Sequence, residues 1–181
     1  ELVSQPVEAL AQDYHAVAMG QRLYSNNCAV CHGSTARGRF GFPNLTDDDW
    51  LYGGSPEKIK ETLLNGRVAA MPAWQAIIGN QGITQVAHYV RQLSGQETID
   101  TELAARGASL YQTNCAVCHG TEGKGNHALG APNLTDSIWL YGGTQQMVET
   151  TLRDGRAGVM PAFLEQLGED RVHLLTAYVY S

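Results

Sequence analysis

Cys28-Ala29-Val30-Cys31-His32-Gly33 and Cys115-Ala116-Val117-Cys118-His119-Gly120 are the same six residues written twice, 87 positions apart. The repetition extends outward from them. Pro43-Asn44-Leu45-Thr46-Asp47 recurs as Pro132-Asn133-Leu134-Thr135-Asp136, and Trp50-Leu51-Tyr52-Gly53-Gly54 as Trp139-Leu140-Tyr141-Gly142-Gly143. Gly66-Arg67 matches Gly155-Arg156, Met71-Pro72-Ala73 matches Met160-Pro161-Ala162, and Tyr89-Val90 matches Tyr178-Val179. From Pro43 onward the offset is 89, which places a two-residue insertion in the second copy around Gly123 to Gly130. Each copy holds a complete set of motifs, so a whole domain is duplicated. The polar break at residues 94–97 divides the chain into two expected domains, 1–94 and 95–181.

Composition says what such halves need. Twenty Gly against three Phe and three Trp in 181 residues is a thin apolar supply. Domains of about 90 residues are marginal and commonly need a metal or cofactor as a staple. The formal charge of −6 argues against nucleic-acid binding. Residues 1–94 carry eight acids against seven Lys/Arg, and residues 95–181 ten against five. An acidic surface favours encounter with a basic partner at a salt-dependent rate. No run approaches the roughly 20 apolar residues that cross a bilayer, and no signal peptide is visible; the abrupt start at Glu1-Leu2-Val3 is consistent with an N-terminal signal or anchor having been removed. All four cysteines sit in the two Cys-x-x-Cys pairs, so no structural disulfide is expected.

The periodicity predicts an all-α fold. Asp13 caps a helix carrying Ala16, Met19, Leu23 and Tyr24, and Asp100 or Thr101 opens its counterpart with Leu103, Leu110 and Tyr111. Ser55-Pro56-Glu57 combines a cap, a first-position proline and an acid in the first turn. Ile59 and Leu63 give that helix its apolar face, and Gly66 ends it. Residues 144–154 repeat the pattern. Residues 84–93 and 170–180 predict the last helix of each copy. No segment alternates as a strand.

Cys-x-x-Cys-His is the attachment signature of c-type haem. Two thiols three apart on one helical turn reach two vinyl groups of one porphyrin, and the next residue projects beneath the iron. Cys28, Cys31, Cys115 and Cys118 are thus the covalent sites, and His32 and His119 the first axial ligands, for two haem c groups. Zinc is the rival, yet each half offers only two Cys and a His in close order where zinc takes four N or S ligands. A dithiol redox site expects a βαβ setting, which is missing. The second axial ligands are expected at Met71 and Met160, each in a Met-Pro-Ala loop after a Gly-Arg. His15, His88 and His127 are the alternatives in one copy. His/Met coordination raises the potential and closes the iron to oxygen. Pro43 and Pro132 are candidate carbonyl acceptors for the ligand histidines. Arg67 and Arg156, with Trp50, Tyr52, Trp139 and Tyr141, are candidates to meet haem propionates, with plain packing as the other reading of the aromatics.

These motifs resemble class I cytochromes c, which implies two tandem small helical domains around covalent haems. Gly20-x-x-x-Tyr24 and Gly107-x-x-x-Tyr111, with Tyr89 and Tyr178 in the last helices, look like that family's helix crossing. The Pro-Asn-Leu-Thr-Asp and Trp-Leu-Tyr-Gly-Gly stretches, then Gly66-Arg67 and Met71-Pro72-Ala73-Trp74, are similar to the dihaem subunit of cbb3-type cytochrome oxidases over about residues 14–180. The resemblance implies axial pairs His32/Met71 and His119/Met160. It also implies an electron-transfer subunit, not an enzyme by itself, of a proton-pumping respiratory terminal oxidase. Such a subunit takes electrons from a soluble cytochrome c donor. It works beside other oxidase subunits, including a monohaem cytochrome c subunit, on the periplasmic side of the bacterial inner membrane. That family carries an N-terminal transmembrane anchor with no counterpart in this sequence, and the sequence ends at Ser181 before a counterpart of Leu93. A soluble piece of a longer, membrane-associated protein is therefore expected. The alternatives are a free-standing periplasmic dihaem carrier, a dihaem peroxidase, which needs an open axial position, and a zinc-binding module.

Overall fold

Asp13 begins the first long helix as its spacing predicts: its carboxylate accepts the Ala16 amide at 2.8 Å. In the computed structural model, which describes residues 4–97 and 99–181, the elements run in chain order as follows. Helices α1 (Val7–Leu10), α2 (Tyr14–Asn27), α3 (Ala29–His32) and α4 (Pro56–Asn65) precede strand β1 (Arg67–Met71). Then come α5 (Gln75–Leu93), α6 (Thr101–Asn114), α7 (Ala116–His119) and α8 (Gln145–Asp154). Strand β2 (Arg156–Met160), α9 (Leu164–Leu167) and α10 (Glu169–Tyr180) complete the chain. Glu1, Leu2, Val3 and Thr98 lie outside the described residues.

The caps are those the residues predict. Ser55 accepts the Lys58 amide with Pro56 in the first turn of α4, Asp100 accepts from Glu102 and Leu103, and Thr144 accepts from Met147. Each satisfies amides that the helix itself leaves without partners. The expected last helix of the first copy is longer than its apolar face, because the chain continues through a kink at Gly79, where φ is 66°. The all-helical expectation is corrected by β1 and β2, which pair in a two-stranded sheet. Each is only five residues long and bounded by Gly and Pro, too short for alternation to register as a period.

The larger difference concerns which parts of the chain pack together. One compact unit is residues 1–68 with 159–181, and the other is residues 69–158. These are not the two sequence halves. The chain leaves the first unit within β1 and returns within β2, so the two copies have exchanged everything after their Gly-Arg pairs. In the first unit α2 packs on α10, and in the second α6 packs on α5. The crossings use glycine for close approach. A Cβ on Gly20 would lie 2.5 Å from the Tyr178 Cβ and 2.6 Å from the Leu174 carbonyl oxygen, and one on Gly107 would overlap the Gln85 carbonyl. Tyr24 then meets Tyr178 at 5.4 Å between ring centroids, and Tyr111 meets Tyr89 at 5.2 Å.

The exchange redistributes charge. By sequence, the first unit carries eleven acids against seven Lys/Arg, a net −4, and the second seven against five, a net −2. The unit around the first Cys pair is the more acidic, the reverse of the order between the sequence halves. Each unit has its own core. Tyr24, Cys28, Ile59, Leu63, Phe163, Val172 and Leu175 form one, and Ile83, Val86, Val90, Tyr111, Cys115, Val148 and Leu152 the other. A separate small cluster joins Val7 and Leu10 of α1 to Ala16 and Ala177.

Candidate haem sites

Each Cys-x-x-Cys-His is a single helical turn placed directly after a long helix. Cys28 ends α2 and caps α3, and the amide of His32 donates to the Cys28 carbonyl at 2.9 Å. Cys115 and His119 repeat this at 3.0 Å. Gly33 and Gly120 then turn the chain, and each of their carbonyls accepts a buried tyrosine hydroxyl. Tyr24 donates to Gly33 at 2.7 Å and Tyr111 to Gly120 at 2.8 Å. Burial pushes both phenols up to about 12.

The histidines are buried, at 6 % and 8 % exposure. His32 Nδ1 lies 3.0 Å from the Pro43 carbonyl oxygen, and His119 Nδ1 3.1 Å from that of Pro132. A carbonyl can only accept, so Nδ1 carries the proton and Nε2 keeps its lone pair for a metal. Burial is the largest influence on both rings and disfavours the imidazolium. At His32 the Arg39 charge acts in the same direction. Cys28 and Cys115 are buried and Cys118 is exposed. Burial, with the neighbouring thiol, raises Cys28 and Cys115 to about 11. Before haem is attached, both are thiols rather than thiolates at neutral pH.

The methionines lie in the exchanged order. Met160 packs against the core of Tyr24 and Cys28, and Met71 against that of Tyr111 and Cys115. The pairing expected from chain order, His32 with Met71 and His119 with Met160, is therefore not the one the packing favours. The reason is local: Gly66 at φ 69° would set a Cβ 2.5 Å from the Met160 carbonyl oxygen, and Gly155 at φ 71° sets one 2.5 Å from that of Met71. Each Gly-Arg turn thus seats the methionine loop of the other copy.

The aromatic and arginine candidates gather in each unit. Arg67 lies over the Tyr52 ring at 4.6 Å and Arg156 over that of Tyr141 at 4.3 Å. Their Nε atoms donate to Thr62 and Thr151, and Arg67 also pairs with Glu61 at 3.0 Å. The Thr pair is repeated in the sequence, four residues before each Gly-Arg. Trp50 and Trp139 join the two cores. The indole rings explain the final glycine of Trp-Leu-Tyr-Gly-Gly, since a Cβ on Gly54 would lie 2.5 Å from Trp50 and one on Gly143 2.7 Å from Trp139. The Tyr52 hydroxyl is buried without a hydrogen-bond partner. A buried orphan beside an arginine suits an anionic group, as a haem propionate is.

The alternative histidines are elsewhere. His15 and His127 are exposed, and His88 accepts the Asp100 amide at 3.0 Å. Among the described residues no three His, Cys, Asp or Glu side chains converge as a metal-ion cluster, so the zinc reading has no ligand set. No helix is long and apolar enough to cross a membrane among the described residues.

Two repeated turns, each with paired cysteines, a buried histidine of fixed tautomer and a methionine in the same core, define the chain as a c-type cytochrome. The family model for cbb3-type cytochrome c oxidase subunit III matches residues 15–90 and again 102–179. The chain is 48 % identical over its whole length to the cbb3-type cytochrome c oxidase subunit CcoP of Rubrivivax gelatinosus, covering 59 % of that protein. It is 40 % identical to the subunit FixP of Azorhizobium caulinodans, again over its whole length and covering 66 % of that protein. It is 41 % identical to CcoP of Cereibacter sphaeroides, over 99 % of the chain and 67 % of that protein. The chain spans about three fifths to two thirds of these relatives. It belongs to the cbb3-type cytochrome c oxidase subunit III family, and its cofactor is haem c, one for each site.

Proposed function

We propose that this chain relays electrons through its two haems from a soluble cytochrome c to the catalytic core of a cbb3-type oxygen reductase. In this reading it is not catalytic by itself and acts on the periplasmic side of the inner membrane beside the other oxidase subunits, a monohaem cytochrome c subunit among them. The observation that supports the reading is that each unit brings together a buried histidine and a methionine packed on the same core. The pairs would be His32 with Met160 and His119 with Met71, which as axial ligands would leave neither iron an open position. Haem supplies a one-electron couple when bound.

The residues do the rest. Cys28 and Cys31, and Cys115 and Cys118, hold the macrocycle covalently. Pro43 and Pro132 hold the histidine protons on Nδ1, which would leave Nε2 free for the iron. Arg67 and Tyr52, and Arg156 and Tyr141, would hold the propionates, and Trp50 and Trp139 would shield them from water. A closed His/Met centre changes little on electron gain, which suits relay and opposes peroxide chemistry.

The test is stopped-flow mixing of the haem-loaded chain with a reduced soluble cytochrome c, then with an oxidase core lacking this subunit. Both haems should be reduced, and adding the chain should restore electron flow from the cytochrome to oxygen. A chain that exchanges electrons with the cytochrome yet never restores the core is instead a free-standing carrier.

A further inference from the structure

After each Cys-x-x-Cys-His turn the chain makes a second, smaller turn closed by one isolated β-bridge. The bridge is Arg39 with Phe42 in the first unit and Asn126 with Ala131 in the second. Both bridges stand directly before the proline whose carbonyl holds the ligand histidine. The places are equivalent, but the residues are not. One turn presents a cation and an aromatic ring, the other a neutral amide and a methyl.

Arg39 is fastened to the histidine's surroundings. Its Nε donates to the Cys31 carbonyl at 2.9 Å. Its guanidinium carbon lies 5.7 Å from the Phe42 ring centroid. Phe42 in turn meets the His32 ring edge-on, 6.3 Å between centroids. No carboxylate of the described residues lies within ion-pair distance of Arg39. A full positive charge is therefore held at this bridge position beside the first Cys–His turn, where the second turn has the neutral Asn126. A fixed cation destabilises the ferric state, which carries one more positive charge, relative to the ferrous state.

We propose that Arg39 raises the reduction potential of the haem attached at Cys28 and Cys31, and that Asn126 leaves the second haem without this contribution. The inference rests on the dihaem reading above. It concerns the share of one residue. Other charges differ between the units as well: Arg67 is paired with Glu61, whose counterpart near Arg156 is Thr150.

Spectroelectrochemical titration of the haem-loaded chain tests it. The chain should titrate as two one-electron components. Arg39→Gln should lower one of them, so that its ferrous-to-ferric ratio at a fixed potential falls about threefold. That is about 28 mV at 59 mV per tenfold change for one electron. Arg39→Lys keeps the charge and should stay near the parent. Asn126→Arg should raise the other component by a similar factor, and at high salt both effects should shrink. Asn126 is exposed, so this last variant carries the test even if the Arg39 variants load haem poorly. Equal shifts from Gln and Lys overturn the proposal, as does movement of the same component by Arg39→Gln and Asn126→Arg. A chain that takes up no haem overturns the dihaem reading itself. Two normal components that ignore both residues overturn only the role of Arg39.

Discussion

Gly20→Ala tests the exchange of the two copies. The added methyl would lie 2.5 Å from the Tyr178 Cβ and 2.6 Å from the Leu174 carbonyl oxygen, where carbon atoms ordinarily approach to about 3.5–4 Å. α2 and α10 must part by roughly 1 Å, because neither obstacle is the free end of a side chain. Overpacking of this kind costs about 1–3 kcal/mol. Alanine gains back about 0.5–1 kcal/mol in an isolated helix, so a net loss of about 1–2 kcal/mol is expected. At about 1.4 kcal/mol per factor of ten, this is roughly a 5- to 30-fold fall in the protection of amides that open with the unit. Hydrogen exchange of the haem-loaded chain reads it by segment. α2 and α10 should lose protection while α5 and α6 keep theirs, and Gly107→Ala should do the opposite. If Gly20→Ala instead deprotects α5, the last helix of its own sequence half, the exchanged packing is wrong.

In a single-haem variant with Cys115 and Cys118 replaced by Ser, Met160→Leu should let the ferrous haem bind carbon monoxide and Met71→Leu should not. The reverse result restores the pairing expected from chain order. Tyr24 and Tyr111 have pKa values raised from 10.0 to about 12. Their contribution is full below pH 10 and is lost as the pH climbs through 12. Denaturant midpoints should fall over that window, and Tyr24→Phe should flatten the fall while costing about 1 kcal/mol at neutral pH through the lost bond to Gly33. An alkaline loss unchanged by both Phe variants assigns it to other groups. Tyr52→Phe in the haem-loaded chain should also cost about 1 kcal/mol, because a propionate takes the orphan hydroxyl. A gain in stability would mean that the hydroxyl stays unpaired with haem bound.

Much of the site was legible in the residues. Cys-x-x-Cys-His can serve a porphyrin only as one helical turn, and the spacing is local, so three residues carry it. Pro43 and Pro132 were legible because a ligand histidine needs an acceptor for its second nitrogen. The caps at Asp13, Ser55, Asp100 and Thr144 were legible for the same reason, each satisfying amides within three residues of itself. The strands were not, since five residues between Gly and Pro hold too few alternations. Duplication made both the family and the two motif sets plain, and duplication also hid the packing. Gly20 and Gly107 present nearly the same surface, and so do the helices ending in Tyr89-Val90 and Tyr178-Val179, so local sequence cannot say which helix lies on which. Long-range contact decides it. Gly66 seats the Met160 loop and Gly155 that of Met71, and with each loop goes the helix that follows. What residues within one turn of each other must do was determined by sequence alone. Which methionine shares a core with which Cys–His turn, and which unit is the more acidic, were decided only when the chain crossed between its two copies.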